Sequence, residues 1–256
     1  ILLCVPLIGL GQDFDWAISM GDLNQTSNVH YIESGQGVAV DVNGDVVITG
    51  YFAGSSDFDP GAGVTTLTAV DSLDIFIQKL DVNGNLIWAK SVGGTSRDIS
   101  FDLVLDSYGN IYIAGIFNDI VDFDPGVSIS SLTSGTSSDI FILKLDANGN
   151  FVWAKSFEGN CINLSIDNSD NLYVTGSFYG VVDFDPGTGV YNLSSQGYKD
   201  IFLLKLDVSG NFVWAKSYGG SYLDDEAIAV NADDNGYVFL TGYYSGNVDF
   251  DPLSLN

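Results

Sequence analysis

The residues best suited to chemistry in this sequence are paired aspartates. Asp-Phe-Asp-Pro occurs four times, setting Asp57 beside Asp59, Asp122 beside Asp124, Asp183 beside Asp185 and Asp249 beside Asp251. Two residues apart on extended backbone, both carboxylates of a pair point to one side. The Pro-Gly that follows (Pro60-Gly61 in the first copy) turns the chain and frees carbonyl oxygens. Oxygen-only surroundings with two carboxylates suit Ca2+. The competing role is an Asx turn, in which each Asp accepts hydrogen bonds from amides of its own loop. That role is preferred, because no Asp-rich calcium loop with a closing Glu accompanies the motif. The Asp-x-Asn-Gly turns at Asp41, Asp81 and Asp146 also resemble calcium loops. There hairpin chemistry is a sufficient explanation, since Asn and Gly both tolerate positive φ.

The motif is one landmark of a long repeat. Its copies begin at 57, 122, 183 and 249. Trp-Ala-Lys recurs at 88, 153 and 214, and Asp-Ile-Phe at 74, 139 and 200. Each unit also contains a turn Asp (41, 106, 167, 233) with a Gly nine residues later. From turn Asp to Trp the unit is 47 residues every time, and all length variation falls between a Trp and the next turn Asp. A fixed core with variable connectors is the mark of stacked structural units.

Each unit reads as four strands. In the first, strand a is Gly37–Val40, strand b Asp45–Phe52, strand c begins at Asp74 and strand d is Asn85–Lys90. Strand c of the third unit, Ile201–Leu206, is apolar on both faces, as a strand covered on both sides should be. No stretch of ten residues shows a helical period. Four-stranded antiparallel units repeated radially make a β-propeller. The expected fold is therefore all-β, a propeller with about 3.5 blades present, at about 35–94, 99–157, 161–219 and 226–256. A lone d-type strand over 13–20 is expected to help close the ring. Two stacked β-sandwiches are the architectural rival.

These motifs resemble the SBBP repeat, a β-propeller repeat of secreted bacterial proteins. The resemblance rests on VDFDPG at 121–126 and 182–187, DIFILKLDANGNFVWAK at 139–155 and DIFLLKLDVSGNFVWAK at 200–216. It runs in register from Trp16 to Asn256. It implies a propeller and a secreted or cell-surface location, and it implies no established catalytic residues.

Composition agrees with export and narrows the partners. The chain has 256 residues, 33 acidic against 8 basic, and a net charge of −25. Nucleic acid and anionic membrane surfaces both require a basic face and are excluded as partners. Asp outnumbers Glu, whose positions are Glu33, Glu158 and Glu226, and this favours turns over helices. The apolar run over residues 1–10 is too short to cross a bilayer. With Gly9-Leu10-Gly11 it reads as a signal-peptide remnant over 1–11, leaving 12–256 as the partial propeller. No membrane insertion is expected after signal removal. Ile1-Leu2-Leu3 lacks the small residues that precede a lipidated Cys, so Cys4 is not read as a lipid anchor. Without Cys4, Cys161 has no partner for an internal disulfide.

The remaining candidates divide by whether they repeat. His30 is the single His and lies in a connector, so nucleophilic catalysis lacks its parts. A catalytic carboxylate pair should be unique, whereas these Asp recur in every unit. No catalytic residue is assigned and no enzymatic activity is expected; the rival is an extracellular hydrolase or lyase acting on polysaccharide. Trp88, Trp153 and Trp214 repeat and are expected to be largely buried wedges between blades. Lys79, Lys90, Lys144, Lys155, Lys205 and Lys216 repeat and are expected to pair with Asp at blade edges, leaving Arg97 and Lys199 outside the pattern. Tyr218, Tyr222, Tyr243 and Tyr244 do not repeat and are the better ligand-binding aromatics. In a meander the a–b and c–d turns share one face, and the variable b–c and d–a segments share the other. Function tends to sit on variable loops over a rigid scaffold. The expectation is a secreted binding or adhesion scaffold that holds an extracellular protein or glycan on the b–c/d–a face. A purely structural spacer is the third reading.

Overall fold

The computed structural model describes residue 17 and residues 33–135, 137–221, 223–233, 235–248 and 250. The expected signal remnant over 1–11, the lone strand over 13–20 apart from Ala17, His30, Tyr222, Asp249 and Asp251 lie outside the described residues.

All regular structure among the described residues is β-strand. The first blade is β1 (Glu33–Val40), β2 (Val46–Asp57), β3 (Thr66–Leu80) and β4 (Leu86–Val92), hydrogen-bonded in that order. The second is β5 (Ile99–Leu105), β6 (Ile111–Phe117), β9 (Asp139–Leu145) and β10 (Phe151–Glu158). Between β6 and β9 it carries a small hairpin, β7 (Ile120–Asp122) with β8 (Ser131–Thr133). The third is β11 (Asn160–Ile166), β12 (Leu172–Asp183), β13 (Asn192–Leu206) and β14 (Phe212–Tyr218). A pair, β15 (Glu226–Ala232) and β16 (Val238–Tyr243), opens the fourth.

Successive blades meet through their first strands, β1 on β5, β5 on β11 and β11 on β15, which is the inner ring of a propeller. Polar residues tie that ring together. The Asp102 carboxylate accepts from the Leu164 amide (2.9 Å) and the Asn163 side chain (2.6 Å) of the next blade. Asn163 Oδ1 in turn accepts from the Val230 amide at 2.8 Å. Each inner strand carries a bulge at the same place, between Gly35/Gly37, Ser100/Asp102, Cys161/Asn163 and Ala227/Ala229. A bulge re-aims side chains out of the ladder, and here it aims Asp102 and Asn163 at the neighbouring blade.

The Asp-x-Asn-Gly turns differ from a two-residue hairpin. Asp41 and Asp45 pair through Asp41 N–H to Asp45 O, and the Gly44 amide returns to Asp41 O. Only the Gly has positive φ (+85° at Gly44, +80° at Gly84), so the loop holds three residues. This is a type I turn followed by one left-handed residue. The Asp carboxylate fills the turn, accepting from the amides of Asn43 (2.8 Å) and Asp45 (3.0 Å). The same bonds recur at Asp81, Asp106, Asp146, Asp167, Asp207 and Asp233.

Strands b and c run further than expected in the first and third blades. β2 and β3 continue to Asp57 and from Thr66, and β12 and β13 to Asp183 and from Asn192. The aspartate-rich segment is thus a hairpin extension of the blade. It kinks where the register slips, at Gly54 (φ +70°) and Gly180 (φ +75°). In the second blade Asp119 (φ +61°) occupies that place and the extension separates as β7–β8. The kink folds the hairpin tip back, so that the Phe of each Asp-Phe-Asp-Pro becomes core. Phe123 meets Phe117 at 5.2 Å edge-on and Phe141 at 5.0 Å, and Phe58 and Phe184 repeat the arrangement. All three of these motif rings are buried.

Lys79, Lys144 and Lys205 on the c strands pair with the turn Asp of their own blades, Asp41 (2.9 Å), Asp106 (3.4 Å) and Asp167 (3.2 Å). The d-strand lysines face the next blade, where Lys90 and Lys155 lie within electrostatic reach of Asp146 and Asp207. Lys90 donates to the Gly149 carbonyl of the next blade, and Lys90 and Lys216 lie over the rings of Trp88 and Trp214. The three Trp are largely buried, as expected, and each packs against a core cluster.

Candidate functional site

The aspartates of the repeated motif hold their own loops. Asp57 Oδ1 accepts from the amides of Asp59 (3.0 Å) and Thr65 (2.8 Å), and Asp59 Oδ1 from Gly61 (2.8 Å). The pattern repeats at Asp122/Asp124 and Asp183/Asp185. Gly63 presses so close to Asp59 that a Cβ there would lie 2.1 Å from Oδ2, and Gly189 does the same to Asp185. These are Asx turns closed around their carboxylates. Among the described residues no three acidic, His or Cys side chains converge as a metal cage. A Ca2+ ion at these loops would compete with loop amides for two carboxylates that gain no third acidic neighbour.

A second set of acids lies deeper, at the junctions between blades. The Asp of each Asp-Ile-Phe is buried, and Asp74, Asp139 and Asp200 each accept one amide bond at Oδ2. Their Oδ1 atoms are buried with no hydrogen-bond partner. Burial pushes Asp74 up to about 6, against the single opposing bond from Val70. Asp98 enters the same junction from the d–a connector. It accepts from the amides of Gly94 (2.7 Å) and Asn118 (3.1 Å) and is also pushed by burial to about 6. Asp225 repeats this role two junctions later, bonded to the amides of Gly220 and Ser245. These carboxylates anchor connectors, which is a structural task.

The same junctions open as clefts on the b–c/d–a face. The first, where the connector leaving blade one meets blade two, encloses about 350 Å³ and includes Ser96, Arg97, Asn118 and Asp119. The second encloses about 380 Å³ and includes Glu158, Asn160, Ser177, Tyr179 and Lys199. The third encloses about 570 Å³ between Tyr198, Leu223, Asp224, Tyr243 and Tyr244. Connector and hairpin residues line each cleft together, so the two kinds of segment do share one face. Arg97 and Lys199, the two basic residues outside the repeat, both line clefts. Lys199 is steered by Glu226 of blade four at 3.1 Å.

Of the aromatics chosen from sequence, Tyr243 and Tyr244 line the third cleft. Tyr218 packs instead on the core formed by Tyr173, Leu203 and Val230, where burial raises its hydroxyl pKa. Tyr179 and Tyr198, overlooked in the sequence, stand 68% and 69% exposed with ring centroids 6.2 Å apart. Their signal was available: the aligned residues of the first blade are Ala53 and Ser72. Departure from the repeat marks the face better than aromatic character alone.

No protein-family model matches the chain. Over 273 residues it is 23% identical to the protein named Uncharacterized WD repeat-containing protein L264, of Acanthamoeba polyphaga mimivirus, covering 91% of this chain and 19% of that protein. Over 216 residues it is 22% identical to Regulatory protein FlaEY of Caulobacter vibrioides, covering 81% of this chain and 20% of that one. The chain thus spans about a fifth of the length of the curated relatives it matches. Four-stranded blades around an inner ring, with likeness to a WD-repeat protein, define a β-propeller repeat scaffold.

Proposed function

We propose that this chain is a secreted or cell-surface binding scaffold of the SBBP-repeat class, without catalytic activity of its own. It engages an extracellular partner through the b–c/d–a face. One observation carries the reading. Both basic residues outside the repeat, together with Tyr179, Tyr198, Tyr243 and Tyr244, gather at the clefts of that face or at their rims. The opposite face is built from near-identical Asp-closed turns, which offer a partner nothing individual.

The test attaches a polyethylene glycol chain to one face at a time. An azido residue replaces Ser137 on the cleft face or Asn148 on the turn face, and retention on cells of the source organism is measured. Blocking at Ser137 should abolish retention and blocking at Asn148 should spare it. The reading fails if neither modification, or only that at Asn148, reduces retention.

A further inference from the structure

Resting on that reading, we infer that the cleft between the second and third blades binds a neutral, hydroxyl-rich ligand, a sugar residue of a glycan. At the mouth of each blade, one residue of strand a faces one of strand b across the ladder. In blade two this pair is Ile99 with Ile116; in blade one it is Ser34, which accepts from the Gln36 side chain, with Tyr51, and in blade four Glu226 with Tyr243, whose side chains bond each other. In blade three it is Asn160 with Ser177. Both Asn160 Oδ1 and Ser177 Oγ are buried with no hydrogen-bond partner, although Ser177 is only 1% exposed. An apolar pair serves folding at that position, as blade two demonstrates. Native proteins rarely leave buried polar atoms unsatisfied, so the unpaired Asn160 and Ser177 point to a ligand.

The third departure is Glu158. Its counterparts are Gly93 and Gly219, where a Cβ would lie 2.2 and 2.1 Å from Cγ of Asp74 and Asp200. In blade two the acid replaces the glycine, and its strand partner is Asp139. Glu158 Oε1 and Asp139 Oδ1 lie 3.7 and 3.6 Å from the point where Gly135 would carry a Cβ. Glu158, Asn160 and Ser177 line one cavity of about 380 Å³, with Lys199 on the same wall. This is within the range of small-molecule sites.

The charges select the ligand. Glu158 in the lining and a chain charge of −25 repel anions. Lys199 within the lining opposes a simple cation. A neutral sugar meets both demands, since each hydroxyl donates to Asn160 Oδ1 or Glu158 and accepts from Lys199 or Ser177. Tyr179 offers its exposed ring, beside Tyr198, as a flat apolar surface for the C–H face of a pyranose.

The test probes the purified chain on an array of neutral, sulfated and uronic-acid glycans, with Ca2+ alone as a further arm by calorimetry. A variant carrying Asn160→Ile and Ser177→Ile reproduces the pair of blade two. It should keep or raise the melting temperature while weakening neutral-glycan binding at least tenfold. Asn148→Ala, on the opposite turn face, should leave that affinity unchanged. If the double variant does not fold, Ser177→Ala serves in its place, with a loss of at least threefold expected. The inference is overturned if no neutral glycan is retained, if sulfated glycans or Ca2+ bind in preference, or if the folded variant binds as tightly as the parent. A blank array with cell retention still blocked at Ser137 removes the sugar alone and leaves the binding face standing.

Discussion

Trp88 of the first blade rests against Gly149 of the second. A Cβ on Gly149 would lie 3.1 Å from Cζ2 and Cη2 of the indole, and the Lys90 ammonium donates to the Gly149 carbonyl at 2.6 Å. Trp153 and Gly210 repeat the contact one blade on, at 2.9 Å. The outer strand of one blade is thereby locked to the c–d turn of the next.

Gly210→Ala should therefore destabilise the protein twice over. Gly210 has φ +76°, and an L-residue in that region costs about 1–2 kcal/mol. The new methyl also displaces the indole of Trp153. A loss of about 2–3 kcal/mol is expected from the denaturation midpoint, against about 0.5 kcal/mol or less for an ordinary surface change.

Phe123→Ala should be more costly. The ring is fully buried between Phe117 and Phe141, and truncating a core Phe costs about 3–5 kcal/mol. Asp124→Asn, which keeps an oxygen for the Gly126 amide, should cost well under half of that. A larger effect at Asp124 would reverse the roles assigned here to ring and carboxylate.

Asp74 makes stability depend on pH. Burial raises its pKa from 3.8 unfolded to about 6 folded, so the folded protein holds this proton more tightly. The resulting contribution is full below pH 3.8 and disappears as pH rises through 6. Asp98, also near 6, acts in the same direction. Asp74→Asn should raise the melting temperature at pH 7.5 and change it little at pH 3.5. A drop of equal size at both pH values would contradict the burial argument.

Divalent cations should stabilise the chain by relieving the self-repulsion of 33 acidic against 8 basic residues. Since the Asp-Phe-Asp-Pro carboxylates already bind loop amides, Ca2+ and Mg2+ at matched concentration should shift the melting temperature alike. A clear preference for Ca2+ that vanishes when Asp122 and Asp124 are both Asn would establish a chelating loop.

Much of the blade was legible because its landmarks keep a constant separation. The 47 residues from turn Asp to Trp fix which strands pair, and length variation located the connectors. Other features required three dimensions. The motif read as a carboxylate site through Asp57 and Asp59, yet Phe58 is what the blade buries. Nothing in the local sequence shows that Gly54 kinks the hairpin back over its own blade. Tyr218 looked like a ligand residue because it does not repeat, but it ends a strand against the core. Tyr179 and Asn160 are distinctive only when aligned with their counterparts in other blades, and their cleft forms only where two successive blades pack side by side.

The central claim is that recognition belongs to the clefts between blades. Hydrogen–deuterium exchange of the chain bound to source-cell envelopes, compared with the free chain, tests it most directly. Protection should concentrate at 96–98, 158–160, 177–180, 198–199 and 243–245, with the turns at 42–44, 82–84 and 147–149 unchanged. Protection centred on those turns, with the clefts exchanging as in the free protein, would contradict the account.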